Sequence, residues 1–343
     1  MMARAFVTPS PTGDNAMNSR RRFCVWLGAS GALAHLGLPA LARAAEAWRA
    51  ERPVRFIVPF AAGGASDMFA RLISEPATQR LGQTFIVENK PGGGGVVAAD
   101  FVSKAVPDGY TLLMATPGTQ LTNPYLFKSL PYDPDAFLAV APLFEAPNVL
   151  VVHPSVPATT VAELIALAKQ NPQQLNFSSS GQGSSSHLSG EMFKLMAGVQ
   201  MTHVPYRGSA PAMTDLVAGR VQLTIDTIST VLPYIRSGAL RVLGTGSAAP
   251  HPALPGVPTI AESLPGFESG AINYVLAPAG TPPETIAGLS EVFGAAMAVP
   301  ATRQRIAEMG YTVLTDTPDE LRARIAREQK KWKHVIETAG VTL

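Results

Sequence analysis

The chain has 343 residues, 46% of them apolar and 15% charged, with 30 Gly, 30 Pro and one Cys. That much apolar side chain offsets ordering entropy and excludes a disordered chain. One cysteine excludes a disulfide framework, a thiolate zinc site and an iron–sulfur cluster, and a net charge of +2 offers no extended basic face for nucleic acid.

Residues 1–44 read as an address. Arg20, Arg21 and Arg22 precede an apolar stretch over residues 24–41 that closes on Ala42-Arg43-Ala44. A basic start, an apolar middle and a small-residue end describe a secretory signal peptide cleaved near Ala44. Ser19-Arg20-Arg21-Arg22-Phe23 also fits the twin-arginine export pattern, and Met17 is an alternative start to Met1. His35 and Pro39 make the stretch a poor membrane-spanning helix. Cys24, behind bulky Phe23, does not read as a lipid-attachment site. Cleavage removes five of the 27 basic residues and one of the 25 acidic ones. The remaining 299 residues hold 22 basic and 24 acidic side chains and no cysteine, so the working protein is slightly acidic.

Beyond residue 44 no apolar run is long enough to span a bilayer, and strand-like runs alternate with helical stretches. Residues 54–59 predict a strand, Gly63-Gly64 a turn, and residues 67–81 a helix kinked or broken near Pro76. Residues 84–88 predict the next strand, followed by the glycine run 92–95 and a helix over 96–104. Strands at 110–115, 148–152 and 271–277 follow. Thr160-x-x-Glu163, Thr281-x-x-Glu284 and Thr317-x-x-Glu320 have capping-box spacing, with Pro282 and Pro318 expected at the first helical position. The alternation predicts an α/β fold with helices on both sheet faces. The two strands bracketing residues 153–270 suit crossings between two lobes. One lobe would hold residues 45–150 and 271–343, the other residues 151–270, with a cleft between them for a small ligand.

Catalytic motifs are mostly absent: there is no G-x-S-x-G elbow, H-E-x-x-H or P-loop. Gly93-x-Gly95-x-x-Ala98 formally matches a dinucleotide fingerprint, but four consecutive glycines read better as a flexible strand-to-helix turn than as a cofactor loop. His187 and Glu191 share a helix face without an evident third metal ligand. No cofactor and no metal are expected. Two segments say more. Residues 61–67 and 178–187 each join a strand to a helix with small residues and free backbone N–H groups, the arrangement that binds anions at a helix N-terminus. One such loop from each lobe suits a ligand with two carboxylates, or one carboxylate and a second polar end.

These motifs resemble the substrate-binding receptors of the tripartite tricarboxylate transporter family, the Bug or TctC-like proteins. The likeness runs through Pro59-Phe60-x-x-Gly63-Gly64-x-x-Asp67-x-x-Ala70-Arg71, Glu88-Asn89-Lys90-Pro91-Gly92-Gly93-Gly94-Gly95 and Pro107-Asp108-Gly109-Tyr110-Thr111-Leu112. It continues through Ser180-Gly181-x-Gly183-Ser184-x-x-His187-Leu188, His203-Val204-Pro205-Tyr206-Arg207-Gly208 and Ala277-Pro278-Ala279-Gly280-Thr281-Pro282. The resemblance implies a type II periplasmic binding protein fold that closes around a carboxylated solute and delivers it to membrane permease subunits, acting as a monomer without catalytic residues. It implies ligand contacts at Ala61, Gly64, Ala65, Ser66 and Asp67 in the first loop, and at Ser179, Ser180, Gly181, Gly183, Ser184 and His187 in the second. Thr116 and Asp226 match further positions lining the family cleft. Arg207 reads equally as a carboxylate fork or a solvated surface residue. Where many relatives carry Trp-x-Gly, this chain has Ile272-Asn273-Tyr274, so its solute cannot be copied from a relative. A sensor that presents the solute to a signalling partner is the alternative binding role. A periplasmic hydrolase on the same scaffold is disfavoured because Ser184 and His187, the only nearby pair, suit capping better than a catalytic relay.

Overall fold

Period-two alternation along the strands sorts the apolar side chains into two layers. Phe56, Val58, Leu112, Met114, Val149 and Val151 belong to one buried cluster. Ile57, Leu113, Ala115, Leu150 and Val152 belong to the other. A sheet apolar on both faces must be covered on both, and helices do this. The computed structural model describes residues 48–343; the signal-peptide, twin-arginine, Met17 and Ala44 expectations lie outside the described residues.

In chain order the elements are β1 (Val54–Val58), α1 (Ala65–Leu81), β2 (Phe85–Asn89), α2 (Val96–Ser103), β3 (Thr111–Ala115), α3 (Asn123–Leu126), β4 (Phe137–Val152), α4 (Val161–Gln170), β5 (Asn176–Ser179) and α5 (Ser185–Ala197). There follow β6 (Thr202–Pro205), α6 (Ser209–Val217), β7 (Leu223–Thr227), α7 (Ile228–Arg236), β8 (Arg241–Thr245), β9 (Gly270–Pro278), α8 (Pro283–Ala298), α9 (Pro300–Glu308), β10 (Thr312–Val313) and α10 (Pro318–Ala339). The strands form one sheet in the order β2-β1-β3-β9-β4-β7-β5-β6, with β8 and β10 also paired to β4. At one end β1 pairs in parallel with β2 and β3; at the other β5 pairs in parallel with β6 and β7. The antiparallel strands β9 and β4 join the two parallel halves. Helices α2, α4, α5 and α10 supply buried side chains to one layer, and α1, α7 and α8 to the other. The α/β expectation holds, with helices on both faces. Among the described residues no single helix is long and apolar enough to cross a membrane.

Three local expectations need correction. First, β4 is 16 residues long, not the five expected at 148–152. Its first part, through Pro147, pairs with β9; Asn148 to Val152 pair with β7, and Val149 to Val152 also with β8. Pro142 and Pro147, which donate no N–H, disguise the first part as a non-strand, and the ladder absorbs the irregularity with register shifts at 139–141 and 142–144. Second, α1 starts at Ala65 and runs through Pro76 without a break. Third, the capping box expected at Thr281 does not form. Thr281 Oγ1 donates to the Pro278 carbonyl at 2.8 Å, and α8 begins one residue later, with Pro282 as its N-cap and Pro283 at the first helical position. The box at Thr317 and Glu320 is complete. At Thr160 only the hydroxyl half forms, because the Glu163 carboxylate accepts from Thr159 instead.

Two helical glycines make opposite predictions. A Cβ at Gly190 in α5 would overlap the Phe177 ring, whereas one at Gly294 in α8 meets nothing within 4 Å. Gly190→Ala is expected to destabilise the protein by about 1–3 kcal/mol through overpacking. Gly294→Ala is expected to stabilise it by up to about 1 kcal/mol through helix propensity. Urea unfolding of both variants checks this, and equal effects would refute the packing assignment.

Candidate functional site: a cleft between the two sheet halves

Two strand-to-helix loops and one segment after β3 frame the site. In the first loop, between β1 and α1, the Gly63 N–H donates to Asp67 Oδ2 at 2.9 Å. Arg71 pairs with the same carboxylate at 3.0 Å, one helical turn on. These partners, Arg71 foremost, hold the buried Asp67 carboxyl down at about 2. Asp67 is therefore an ionised, neutralised brace inside the loop. Helix α1 has Gly64 as N-cap with no side-chain cap, so its first N–H groups are left for another acceptor.

The second loop, between β5 and α5, is tied down more heavily. Ser184 is the N-cap of α5; its hydroxyl accepts from the His187 N–H at 3.3 Å and donates to the Gly181 carbonyl at 2.7 Å. The Ser180 N–H donates to Ser186 Oγ at 3.0 Å, and the Gly183 N–H to His187 Nδ1 at 3.0 Å. Gly181 has φ +139°, a conformation that side chains rarely adopt. Beneath the loop the Phe177, His203 and His187 rings stack, with centroids 4.9 Å and then 3.8 Å apart, and His203 Nε2 lies 2.6 Å from Ser179 Oγ. His187 Nδ1 accepts a hydrogen bond, so it carries no proton, and the 3.8 Å approach of Nε2 to Glu191 is not an ion pair. Burial, the His203 ring and Lys194 push His187 down to about 3. Burial and Lys194 push His203 down to about 4.

The third segment follows β3. A wide turn over Gly118–Thr122 leads into α3 and interlocks with the glycine run. Asn123 Nδ2 donates to the Gly94 carbonyl at 3.1 Å, and a Cβ at Gly118 would collide with that carbonyl oxygen. The Gly93–Gly95 run thus forms a tight turn that supports the cleft wall.

Together these parts enclose a cleft of about 430 Å³. From the first half come Phe60, Gly94, Thr116, Gly118, Thr122, Asn123 and Phe127; from the second, residues 180–185 and Leu188; Gly270, Ala271, Trp332 and Leu343 complete it. None of its lining side chains is charged. A smaller chamber of about 160 Å³ shares Thr116, Pro117 and Ala271 with it, and adds Ala65, Ser66, Phe69, Phe144, Thr227, Asn273 and Tyr311. Thr116 stands on the wall common to both, and its Oγ1 is buried without a hydrogen-bond partner.

The residues singled out in the sequence separate by position. Thr116, Ser180, Gly181, Gly183 and Ser184 line the cleft, and Ala65, Ser66 and Thr116 line the chamber. Ser179, His187 and Asp67 sit behind the loops. Ala61 and Gly64 are exposed in the first loop and line neither space. Asp226 is buried at the end of β7, accepting from the Thr227 N–H at 2.7 Å; burial raises its carboxyl to about 6. Arg207 is exposed and pairs with no acid among the described residues. Tyr274 is a core aromatic whose hydroxyl donates to Gln120 at 3.1 Å, and Asn273 beside it faces the chamber. Sequence reasoning missed Asn123, Trp332 and Leu343, which carry no local binding signal. It also missed Asn148, a fully buried amide whose Nδ2 lies 2.7–2.9 Å from the hydroxyls of Ser185, Ser189 and Ser269. Among the described residues no group of three or more His, Cys, Asp or Glu could hold a metal ion.

Residues 69–341 match the profile of the tripartite tricarboxylate transporter family receptor. The chain belongs to this family. Among solved structures it is similar to the Rpa4515 protein of R. palustris with adipate, at 39% identity and TM-score 0.74, covering 85% of this chain and 99% of that one. It is similar to MatC of Rhodopseudomonas palustris with bound malate, at 34% identity and TM-score 0.70, covering 83% and 99%. The periplasmic binding protein BugD is 35% identical, with TM-score 0.70 and coverage of 86% and 100%. The receptor thus has the periplasmic binding protein fold, in a family of solute-binding proteins.

The ring stack predicts an acid-sensitive loop. Unfolding returns both imidazoles to the ordinary histidine value near about 6.5, where they take up protons that the folded receptor refuses. Their contribution to stability is complete above that value and is lost as pH falls toward about 4. Asp226 opposes this: it favours the folded state when protonated and loses that contribution as pH rises through about 6. In His203→Asn, the fall in melting temperature on acidification across this window is expected to shrink by more than half, since two rings share it and Asp226 opposes them. Thermal unfolding at several pH values measures it; an unchanged pH slope contradicts the stack's role.

Proposed function

We propose that the mature chain is a periplasmic receptor that captures a small carboxylated anion in the 430 Å³ cleft and the chamber adjoining it at Thr116 and hands it to the membrane subunits of a tripartite tricarboxylate-type transporter. The observation that carries this reading is a cleft without charged side chains, framed by residues 180–185 and by the Thr116–Asn123 segment, in a chain whose family is a receptor family. Residues 1–44 would be a twin-arginine leader cleaved near Ala44. Residues 45–150 with 271–343 and residues 151–270 would act as two lobes, with the solute stabilising their closed arrangement.

In this reading Ala65, Ser66, Thr116, Ser180, Gly181, Gly183 and Ser184 touch the solute. Ser179, His187, Asp67 and Asp226 hold the loops that do so, and Ala61 and Gly64 shape the first loop. Dipoles suffice without an arginine clamp. Micromolar affinity needs about 8 kcal/mol, charge-assisted hydrogen bonds contribute about 1.5–3 kcal/mol each, and a helix N-terminus adds about 0.3–1 kcal/mol. Six such contacts exceed the requirement across that range and four do so toward its upper end, where a margin is left for the entropy lost on binding. The unpartnered Thr116 hydroxyl is a ready donor or acceptor for such a solute. The receptor works as a monomer and performs no chemistry on its cargo: Ser184 is engaged as a cap and His187 accepts from a backbone amide, which leaves neither poised as nucleophile or base.

A thermal-shift screen against mono-, di- and tricarboxylates, amino acids and aromatic acids tests the receptor reading. At a hundredfold excess over Kd, binding adds about 2.7 kcal/mol and raises the midpoint by several degrees; a flat response across the panel refutes it. Thr116→Val separates binding from folding. Replacing an unpartnered buried hydroxyl by a methyl is expected to leave the unliganded melting temperature equal or higher, while solute affinity falls about tenfold.

A further inference from the structure

Resting on that receptor reading, we infer that the cleft selects carboxylates with a plain hydrocarbon body over hydroxylated acids and tricarboxylates. The lining of the cleft is of two kinds. Residues 180–185 and Thr116 supply polar groups. Phe60, Phe127, Leu188, Trp332 and Leu343 supply a hydrocarbon wall.

The wall is carbon. Trp332 has one polar atom, and its Nε1–H donates to Glu328 Oε2 at 3.1 Å. Leu343 is 48% exposed and is seated by its own N–H, which donates to the Leu126 carbonyl at 2.9 Å. The wall begins directly beside the polar loop, since a Cβ at Gly183 would lie 3.1 Å from Leu343 Cδ1. A solute whose carboxylate reaches the loop therefore lays its next carbons against hydrocarbon.

The polar side has little capacity left for further polar groups. Ser184 Oγ is committed to Gly181 and His187, Ser180 Oγ pairs with Ser186 Oγ, Ser185 Oγ accepts from Asn148, and Asn123 Nδ2 donates to Gly94. Backbone N–H groups at the starts of α5 and α1, with the Thr116 and Ser66 hydroxyls and the Ser185 proton, remain, enough for the two ends of a dicarboxylate. An added hydroxyl or a third carboxylate would be stripped of water without gaining a partner, which typically weakens binding about tenfold or more. Each methylene laid on the wall strengthens it about fourfold.

Calorimetric titration of the receptor with succinate, glutarate, adipate, malate and citrate decides the matter. The expected order is a tightening of about fourfold per added methylene from succinate to adipate, malate no tighter than succinate, and citrate weakest. In Leu343→Asn and Phe127→Asn the gain from succinate to adipate is expected to collapse to about threefold or less, with both variants checked for an unaltered far-UV spectrum and melting temperature. Malate or citrate binding more tightly than adipate overturns the inference while the receptor reading stands. An undiminished chain-length gain in both variants overturns it too. No binding by any of the acids overturns the receptor reading along with it.

Discussion

The site depends on how one strand changes partners. Strand β4 leaves β9 at Pro147, joins β7 at Asn148 and pairs with β8 from Val149. At such a switch the backbone and any buried polar side chain must still be satisfied, or each orphan costs about 1–3 kcal/mol. Asn148 meets the requirement from both ends. Its N–H donates to Ser269 and its carbonyl accepts from Gly246 at 2.7 Å, while its side-chain amide reaches the hydroxyls of Ser185, Ser189 and Ser269. Ser185 and Ser189 belong to α5, so the amide that satisfies the strand switch also anchors the helix whose N-terminus carries the second loop. The close approach requires glycine at 246, since a Cβ there would strike the Ser269 carbonyl. The geometry of the cleft floor follows from this one junction.

Electrostatics are arranged in two shells. The surface of the cleft holds no ionisable side chain, and the charged groups behind it are neutralised: Asp67 by Arg71, and His187 and His203 by staying unprotonated. An anion bound there would meet oriented N–H groups and hydroxyls with little competing charge, in surroundings where dipoles act strongly. Burying neutral rings under a loop also costs less than burying a cation, which explains why imidazoles can serve as its foundation. The price is acid sensitivity.

Much of this was legible in the amino-acid order. Residues 61–67 and 178–187 announced themselves as glycine- and serine-rich joints between strand and helix, and both joints border the enclosed spaces. The strands at β1, β2, β3 and β9 followed from alternating apolar residues with β-branched or aromatic character. The first part of β4 did not, because Pro142 and Pro147 are local arguments against a strand that only an irregular ladder with β9 overrules. The capping box at Thr281 had the right spacing and failed because a nearer acceptor, the Pro278 carbonyl, took its hydroxyl. Trp332 and Leu343 could not be assigned to the cleft, since α10 reaches it only after the chain has crossed both halves of the sheet. The resemblance implied ligand contacts at His187 and, for the acids Asp67 and Asp226, a part in orienting amides; their side-chain hydrogen bonds to Gly63, Gly183 and Thr227 could not be read from the sequence.

By itself, the sequence determined the α/β class, the family resemblance and the two loops able to present backbone amides, because those depend on local periodicity and on glycine, serine and proline at fixed spacing. The slightly acidic, cysteine-free character of the chain beyond residue 44 follows from counting alone. Only the tertiary structure decided which groups face the cleft and which stand behind it. That distinction rests on contacts between residues far apart in the chain, such as Asn148 with Ser269 and Leu343 with Gly183, and no local pattern encodes a long-range neighbour.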